Sequence, residues 1–239
     1  MHINIGEPAV AIVEVGEKVL KGQKIARAEG HISVYLHAPS SGVVTAIDEQ
    51  QIPHPSGLSA ECITIKTDGK DQWIELQQTP DFTALSEHDI RQQIREAGIV
   101  GLGGAGFPSF IKLNPGVHHS VETLIINGVE CEPYITCDDM IMRERAEGIL
   151  DGVEVMRYAL RVKNCVIVIE DNKPEAISAI ELALARRQSK LQDTTVVVIP
   201  TRYPTGSEKQ LIQVVTGKQV PSQGLPIDIG IVCHNVGTS

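Results

Sequence analysis

A glycine-rich stretch with a single lysine carries the clearest chemistry in this chain of 239 residues. Residues 98–113 read GIVGLGGAGFPSFIKL, and four glycines fall within the six positions from Gly101 to Gly106. Glycine reaches positive φ without strain and leaves no Cβ between the backbone and a ligand. Successive N–H groups in such a turn make a concave anion site, to which Lys112 adds a positive charge. The stretch predicts a site for a phosphate-bearing ligand.

Other interpretations of these glycines stay open on spacing alone. The spacing G-x-G-x-x-G, which starts at Gly101, occurs by chance in many loops. On spacing alone, a tight turn between packed helices would explain it better. The usual dinucleotide fingerprint follows a strand. Here Ser86–Ala97 has a capping box and one apolar stripe, which predict a helix that ends at Gly98. The ordinary dinucleotide interpretation therefore fails.

A pair of acids is the second candidate group. The segment NGVECEPY begins at Asn127, at the end of an apolar run, and carries Glu130 and Glu132 on either side of a cysteine. In an extended segment, residues two apart point to the same side, so both carboxylates could face one pocket. Close like charges are costly unless a cation pairs with them. Plain solvent exposure is therefore the alternative explanation.

The charge balance and the hydropathy limit the classes of partner. Lysine and arginine number 21 against 30 acidic residues, a net charge of −9 with no basic run, so nucleic acid is not an expected partner. No segment approaches the roughly 18 unbroken apolar residues of a membrane-spanning helix, and the N-terminus lacks a signal-peptide pattern. We predict a soluble chain that can dock on a membrane complex.

The five cysteines stand far apart and form no C-x-x-C pair. This distribution is typical of reduced thiols in a cytosolic protein and disfavours a disulfide framework. It also leaves the chain without an iron–sulfur ligand run. We therefore predict no metal site in these residues.

The first 66 residues predict an all-β domain, because short β-branched runs lie between Gly, Pro and Ser turn signals. From Val15, the spacing V-G-x-x-V-x-x-G followed by A-P-x-x-G-x-V resembles the lipoyl- and biotinyl-carrier family, a flattened β-sandwich. That family carries its swinging arm on a lysine at a hairpin tip, and His31 stands at the matching position. Because histidine cannot form the amide, we expect a structural domain that has lost the carrier function.

Strand and helix patterns alternate in the rest of the chain. Predicted strands are Thr123–Asn127, Asn164–Ile169, Thr195–Ile199 and Ile227–Cys233, and predicted helices are Asp138–Leu160, one starting at Pro174 and one after Gly206. This alternation predicts a doubly wound α/β layer. The predicted domains are residues 1–66 (β-rich), 67–85 (linker) and 86–239 (α/β).

The last residues, HNVGTS from His234, form a polar cluster after a predicted strand. Such a cluster usually caps the start of a helix, and no helical sequence follows it. We therefore expect this chain to be a piece of a longer protein.

Four segments in order resemble the NADH- and FMN-binding subunit of respiratory complex I. They are GLGGAGFPSFIKL, NGVECEPY, YPTGSEKQLI and HNVGT, which are similar to its segments G-R-G-G-A-G-F-P-x-x-x-K, N-A-D-E-G-E-P-G, Y-x-x-G-E-E-x-x-L-I and N-N-V-E-T. The chain resembles the RnfC subunit of the Rnf (Rsx) electron-transport complex more closely and over nearly its whole length, through HINIGEPA, LGGAGFP, ECEPYIT, IEDNKP and TGKQVP. Each motif alone is weak, but their shared order is specific.

This resemblance implies a Rossmann-like α/β FMN-binding domain of the complex I type, preceded by a small lipoyl/biotinyl-like barrel-sandwich domain. It implies FMN and NADH as cofactors. Hydride transfer between stacked rings requires no acid or base from the protein, so no catalytic residue is predicted. By motif, the FMN residues would be Gly103, Gly104, Ala105, Gly106, Lys112, Asn127, Gly206, Asn235 and Thr238. The NADH side would comprise Phe107, Glu130, Glu132, Tyr203 and Glu208.

The chain departs from the complex I pattern at several positions, which affects the NADH contacts more than the flavin site. Leu102 stands in place of an arginine and Val129 in place of an aspartate. Ser207 and Gly237 each stand in place of a glutamate.

The resemblance also implies a role in a bacterial membrane complex. The implied function is an NADH-oxidising, FMN-binding module of an ion-translocating electron-transport complex, peripheral on the cytoplasmic side of the inner membrane, with electrons passing from NADH to ferredoxin or the reverse. Its partners would be the other subunits and a ferredoxin-type carrier. The 4Fe–4S clusters of the family belong to a later region that is missing here. The alternative is a non-catalytic docking subunit with the same fold, similar to the NqrA subunit of the sodium-pumping NADH:quinone reductase, which should lack the glycine-rich loop.

Overall fold

The computed structural model describes residues 6–53, 57–79, 81–116, 119–187 and 189–239. These residues divide into two compact units. The first unit contains the described residues up to Ala84 together with Gln92–Val100 and Gly104–Phe110, and the second contains Leu85–Arg91, Gly101–Gly103 and the described residues from Ile111 onward. The predicted domain boundaries at residues 66 and 85 stay a prediction.

The first unit is β-rich, as the turn signals predicted. Its described strands form two antiparallel three-stranded sheets, of order β1-β3-β4 and β2-β5-β6. The strands are β1 (Val10–Ala11), β2 (Lys18–Val19), β3 (Lys24–Arg27), β4 (Leu36–His37), β5 (Gly42–Gln51) and β6 (Ser59–Thr67). Val13, Val19, Ile25, Ala38 and Val44 pack together as one apolar cluster in this unit.

Two residues of the carrier-like motif, Gly42 and His31, have clear places in the first unit. A Cβ at Gly42 would lie 2.2 Å from the Lys66 carbonyl oxygen, so only glycine allows β5 to approach β6 at this point. His31 is exposed in the bend between the antiparallel strands β3 and β4. The histidine therefore lies at a hairpin tip, as the motif predicted.

The second unit contains a four-stranded parallel sheet of order β10-β7-β8-β9. Its strands are β7 (Thr123–Gly128), β8 (Asn164–Glu170), β9 (Thr194–Ile199) and β10 (Ile231–Asn235). The two central strands are buried on both faces, because Leu124–Ile126 and Ile167–Ile169 have no exposed surface. Continuous apolar strands of this kind are typical of parallel sheets covered by helices. The predicted α/β architecture is confirmed.

The helices are α1 (Glu87–Glu96), α2 (Ser109–Lys112), α3 (Cys137–Glu144), α4 (Ala146–Leu160), α5 (Pro174–Arg186) and α6 (Glu208–Thr216). The prediction of one continuous helix over Asp138–Leu160 was wrong. Arg145 leaves the helical region at φ −130° and ψ 25°, and it separates α3 from α4. No proline or glycine occupies position 145, so the apolar pattern gave no sign of this break. None of the helices in the described residues is long and apolar enough to cross a membrane.

The last strand begins later than predicted. Residues Pro226–Ile229 form a 3-10 turn, and Gly230 takes a positive φ of 74° before β10 begins at Ile231. The Asp228 carboxylate stabilises this turn by accepting a hydrogen bond of 2.8 Å from the Leu225 N–H. After β10, the Asn235 side chain accepts a bond of 2.9 Å from the Gly237 N–H and caps a short 3-10 turn, Val236–Thr238.

Candidate functional site

Two asparagines meet at the carboxyl edge of the parallel sheet. Asn127 and Asn235 are register partners at the ends of the neighbouring strands β7 and β10. From β7 the chain runs outward on one side through β8 and β9, whereas β10 pairs with β7 on the other side. This reversal makes a topological switch point, where open α/β sheets bind their ligands in the crevice outside the strand ends. The sheet topology therefore locates the candidate site between Asn127 and Asn235.

Asn127 joins the end of β7 to the turn before α6. Its Nδ2 donates a hydrogen bond of 2.9 Å to the Gly206 carbonyl oxygen, and its Oδ1 accepts one of 3.0 Å from the Val129 N–H. A Cβ at position 206 would lie 2.6 Å from the Val129 carbonyl oxygen, so Gly206 is required for this close approach. An amide nitrogen carries two hydrogens, and the Gly206 bond uses one of them.

Lys112 points its ammonium at the same edge. Its Nζ lies 2.6 Å from Glu208 Oε1 and 2.9 Å from the Cys233 carbonyl oxygen. The two side chains of this ion pair are 34% and 37% exposed, so the pair contributes little stability by itself. Because an ammonium has three donors, one of them stays available for an anion.

Asn235 is held by an acid on α3 and lies beside the glycine turn. Its Nδ2 donates a hydrogen bond of 2.7 Å to Asp138 Oδ2. Burial raises the pKa of Asp138, and Glu130 and Glu132 raise it further, while the Asn235 bond and Lys173 oppose the change. The pKa of Asp138, the carboxylate that holds Asn235 at the end of β10, therefore depends on the charges around it.

The beginning of the glycine-rich loop is open towards this edge. The Leu102 N–H donates a hydrogen bond of 3.1 Å to Thr238 Oγ1. Gly103 is exposed, and a Cβ there would meet Asn235 Cβ at 3.3 Å. Among the described residues, no acceptor lies within hydrogen-bonding geometry of the Gly103 N–H. Gly103 thus leaves both space and a backbone donor beside Asn235.

His234 is a polar residue of this region that the sequence reasoning missed. Its side chain is 3% exposed, and its Nε2 has no hydrogen-bond partner within the part of the chain that the structure describes. Burial, and to a lesser degree the charge of Lys112, lowers the pKa of His234 to about 3, so the imidazole is neutral. The signal that could have found it is its position inside the HNVGT segment, directly before Asn235.

The two acids of the NGVECEPY segment have different environments. Glu130 is 6% exposed, and its carboxylate accepts hydrogen bonds of 2.9 Å and 3.3 Å from the N–H groups of Asp138 and Asp139 at the start of α3. Glu132 is exposed, because the chain turns at this point and Tyr134 takes a φ of 69°. The alternation expected of an extended segment therefore does not apply, and the two carboxylates differ in burial although both raise the pKa of Asp138.

The same corner brings Glu130, Cys137 and Asp138 within metal-ligand distance of one another, with donor atoms no more than 4.8 Å apart. The Glu130 oxygens already accept from the start of α3, so this arrangement is explained by helix capping. We assign no metal to it.

The remaining predicted site residues differ in exposure. Tyr203 and Glu132 are exposed. Gly104, Ala105, Gly106 and Phe107 belong to the first compact unit, whereas Gly103 belongs to the second. Gly104 and Gly106 take φ values of 105° and 59°, which confirms that this loop uses the left-handed region that glycine favours.

Family models match both parts of the chain. The Nuo51 FMN-binding domain model matches residues 94–239, and the RnfC barrel sandwich hybrid domain model matches residues 1–70. Curated relatives that are named as the C subunit of an ion-translocating oxidoreductase complex are 51% identical in Pseudomonas aeruginosa and 46% in Vibrio cholerae, each over 98% of this chain and 30% of the relative. The relative of that name from Rhodobacter capsulatus is 48% identical over 99% of this chain and 45% of its own length. The chain thus spans less than half the length of these relatives.

Solved structures share the fold. Two crystal structures of an NAD+-reducing NiFe-hydrogenase, in the H2-reduced and air-oxidized states, align with TM-scores of 0.57 and 0.54 at 24% and 23% identity. The alignments cover 65% and 64% of this chain and 30% and 29% of those chains. The motif resemblance to the RnfC subunit of the Rnf complex is confirmed by the curated relatives. With a family model matching its α/β part, the chain belongs to the Nuo51 FMN-binding domain family.

Proposed function

We propose that this chain is the FMN-binding, NADH-oxidising module of a membrane-associated, ion-translocating electron-transport complex. The observation that carries the proposal is the group of Lys112, Asn127 and Asn235 at the switch point of the parallel sheet. This is the edge at which α/β sheets bind nucleotide cofactors. The names of the curated relatives support the role in an ion-translocating complex.

The residues at the edge fit a flavin nucleotide. Lys112 and the Gly103 N–H supply donors for a phosphate, because each has a hydrogen that the described chain leaves unused. Asn127 and Asn235 each keep one amide hydrogen for the edge of a ring. Gly206 accepts a hydrogen bond from Asn127 and holds its side chain in position. Thr238 accepts one from the Leu102 N–H and holds the start of the loop. Gly104, Ala105 and Gly106 complete the proposed FMN set.

When bound, FMN would accept a hydride from NADH. The proposed NADH residues are Phe107, Glu130, Glu132, Tyr203 and Glu208. The exposed side chains of Tyr203 and Glu132 are free to meet a ligand from solvent. Glu208 orients Lys112 through their ion pair, and the buried Glu130 fixes the start of α3. These residues bind and orient, and none of them needs to move a proton.

A flavin titration followed by an activity assay tests the proposal. We expect the purified chain to bind FMN, seen as a change in flavin fluorescence, and the FMN-loaded protein to reduce an added dye with NADH. Absence of both flavin binding and dye reduction would reject the proposed function. The electron path onward, through 4Fe–4S clusters to or from a ferredoxin-type carrier, is proposed for the full-length protein with its partner subunits.

Gly103→Val should weaken FMN binding about tenfold or more while leaving the fold intact, a loss of about 1.4 kcal/mol. The new side chain would contact Asn235 and fill the space in front of it. The fold should stay intact because the φ of Gly103 lies outside the left-handed region. Gly148→Val is the matched control, since a Cβ at that position meets nothing within 4 Å. FMN titration and circular dichroism of both variants check this prediction. Equal FMN affinity in the two variants would contradict it.

The alternative function is a non-catalytic docking subunit that has kept the fold. It predicts a protein that joins its complex without binding FMN. The glycine-rich loop and Lys112, both of which this chain retains, favour flavin binding. The same titration separates the two functions, because Lys112 contributes nothing to flavin affinity in a docking subunit that does not bind FMN.

A further inference from the structure

Glu170 is a fully buried residue at the C-terminal end of β8, the strand that pairs directly with β7. Its exposed fraction is 0%, and neither carboxylate oxygen has a partner in hydrogen-bonding geometry among the described residues. Burial raises the pKa of Glu170, and the positive charge of the nearby Lys173 only partly opposes this change. A buried carboxylate without hydrogen bonds is costly, so burial at this position favours the neutral form over the charged one.

The charge of one ammonium, that of Lys173, acts on two buried acids at this position. The Lys173 side chain is 11% exposed, and its Nζ lies 3.7 Å from Glu130 Oε2. The Lys173 N–H also donates to the Glu170 carbonyl oxygen at 3.2 Å, which keeps the two residues together in the turn after β8. Asp171 is exposed and accepts hydrogen bonds from Thr201, and the ion pair that Lys173 makes within the described residues is with Glu130.

A continuous set of contacts leads from this pair to the candidate site. Glu130 accepts hydrogen bonds from Asp138 and Asp139 and fixes the start of α3. Asp138 in turn holds the Asn235 amide at 2.7 Å. Glu132 and Lys173 both influence the pKa of Asp138, so this carboxylate responds to the charges around it.

We propose that Glu170 and Lys173 are positioning residues of the proposed FMN site, a role that rests on the proposed function. Neutral Glu170 leaves the Lys173 ammonium to pair with Glu130, and Glu130 then holds α3 and Asp138 so that Asn235 keeps its orientation. When Glu170 loses its proton, Lys173 is shared between two carboxylates and the hold on α3 weakens. The site therefore binds FMN less well as the pH rises.

The sign of the pH dependence follows from the raised pKa. The stabilising contribution of neutral Glu170 is complete below its ordinary value of 4.5 and is lost as the pH rises through the higher value of the folded state. Glu170→Gln keeps the shape and is neutral at every pH. Compared with this variant, the wild-type unfolding constant should grow roughly tenfold or more between pH 5 and pH 8.

The first experiment therefore uses the protein without flavin. Chemical unfolding of wild type and Glu170→Gln is measured at pH 5 and pH 8, with Glu175→Gln, an exposed residue of α5, as the control. The control should follow the wild type at both values. A constant ratio between wild type and Glu170→Gln would overturn the inference, whether or not the protein binds FMN.

The second experiment measures the FMN Kd of wild type and of Glu170→Gln from pH 5 to pH 9, and the ratio of the two removes the titration of the flavin phosphate, which both proteins share. We expect the ratio of the wild-type Kd to the Glu170→Gln Kd to rise about fivefold or more with increasing pH. Lys173→Gln should lose about fivefold in affinity already at pH 7. Parallel pH profiles for wild type and Glu170→Gln would overturn the positioning role. If no variant binds FMN, the proposed function fails and the positioning role with it, while the unfolding ratio still reports the proton on Glu170.

Discussion

Lys112→Ala should weaken FMN binding about a hundredfold. A charge-assisted hydrogen bond contributes roughly 1.5–3 kcal/mol, and the substitution removes the ammonium that lies at the carboxyl edge of the sheet. It also removes the partner that lies 2.6 Å from Glu208 Oε1, which leaves that carboxylate as an unpaired negative charge beside the ligand. Both changes oppose an anionic ligand, so their effects add in the same direction.

Fluorescence titration of FMN into wild type and the variant measures this loss. Lys163→Ala is the matched control, because Lys163 is an exposed lysine of the same unit that precedes β8. The double variant Lys112→Ala with Glu208→Gln separates the lost ammonium from the unpaired carboxylate. If Lys112→Ala binds FMN as the wild type does, Lys112 is not a phosphate ligand. If neither protein binds FMN, the docking function gains support.

Glu130→Ala should lower the free energy of unfolding by about 3 kcal/mol. The substitution removes the acceptor for two N–H groups at the start of α3 and leaves the Lys173 ammonium, 11% exposed, without its buried partner. Breaking a buried ion pair from one side is costly because the remaining charge stays desolvated. Chemical denaturation followed by circular dichroism measures the change.

Glu132→Ala tests the same chemistry two residues along the chain. Glu132 is exposed, so its removal should change the free energy of unfolding by no more than about 0.5 kcal/mol. A similar loss of unfolding free energy in both variants would mean that any change in this segment destabilises the fold. The burial of Glu130 would then make no specific contribution to stability. The pair therefore separates a structural acid from an acid that is free to meet a ligand.

Local sequence patterns predicted much of the α/β unit. Pro174 begins a helix because its fixed φ and missing N–H suit the first turn, and α5 begins there. Gly98 ends α1 with a φ of 73°, as glycine does after a helix. The apolar runs of β7 and β8 predict buried strands without any tertiary information. The run of β9 predicts a strand equally well, although Thr195 and Val198 in it are exposed.

Local sequence patterns failed to predict two features of the backbone. The break at Arg145 between α3 and α4 has no proline or glycine to mark it. Glu130 and Glu132 have equivalent positions in an extended segment, yet only Glu130 reaches the start of α3, because the chain turns at Tyr134. Period-two reasoning applies only while a segment stays extended.

The sequence by itself determined the elements and the family resemblance: a β-rich first part, parallel strands separated by helices, and a glycine-rich loop with Lys112. These follow from periodicity, turn chemistry and ordered motifs, which are local properties. The site required the tertiary structure. The register of Asn127 against Asn235 and the pairing of Lys112 with Glu208 join residues about a hundred positions apart. Local propensity does not specify such pairs, because the order of the strands in the sheet decides which distant ends become neighbours.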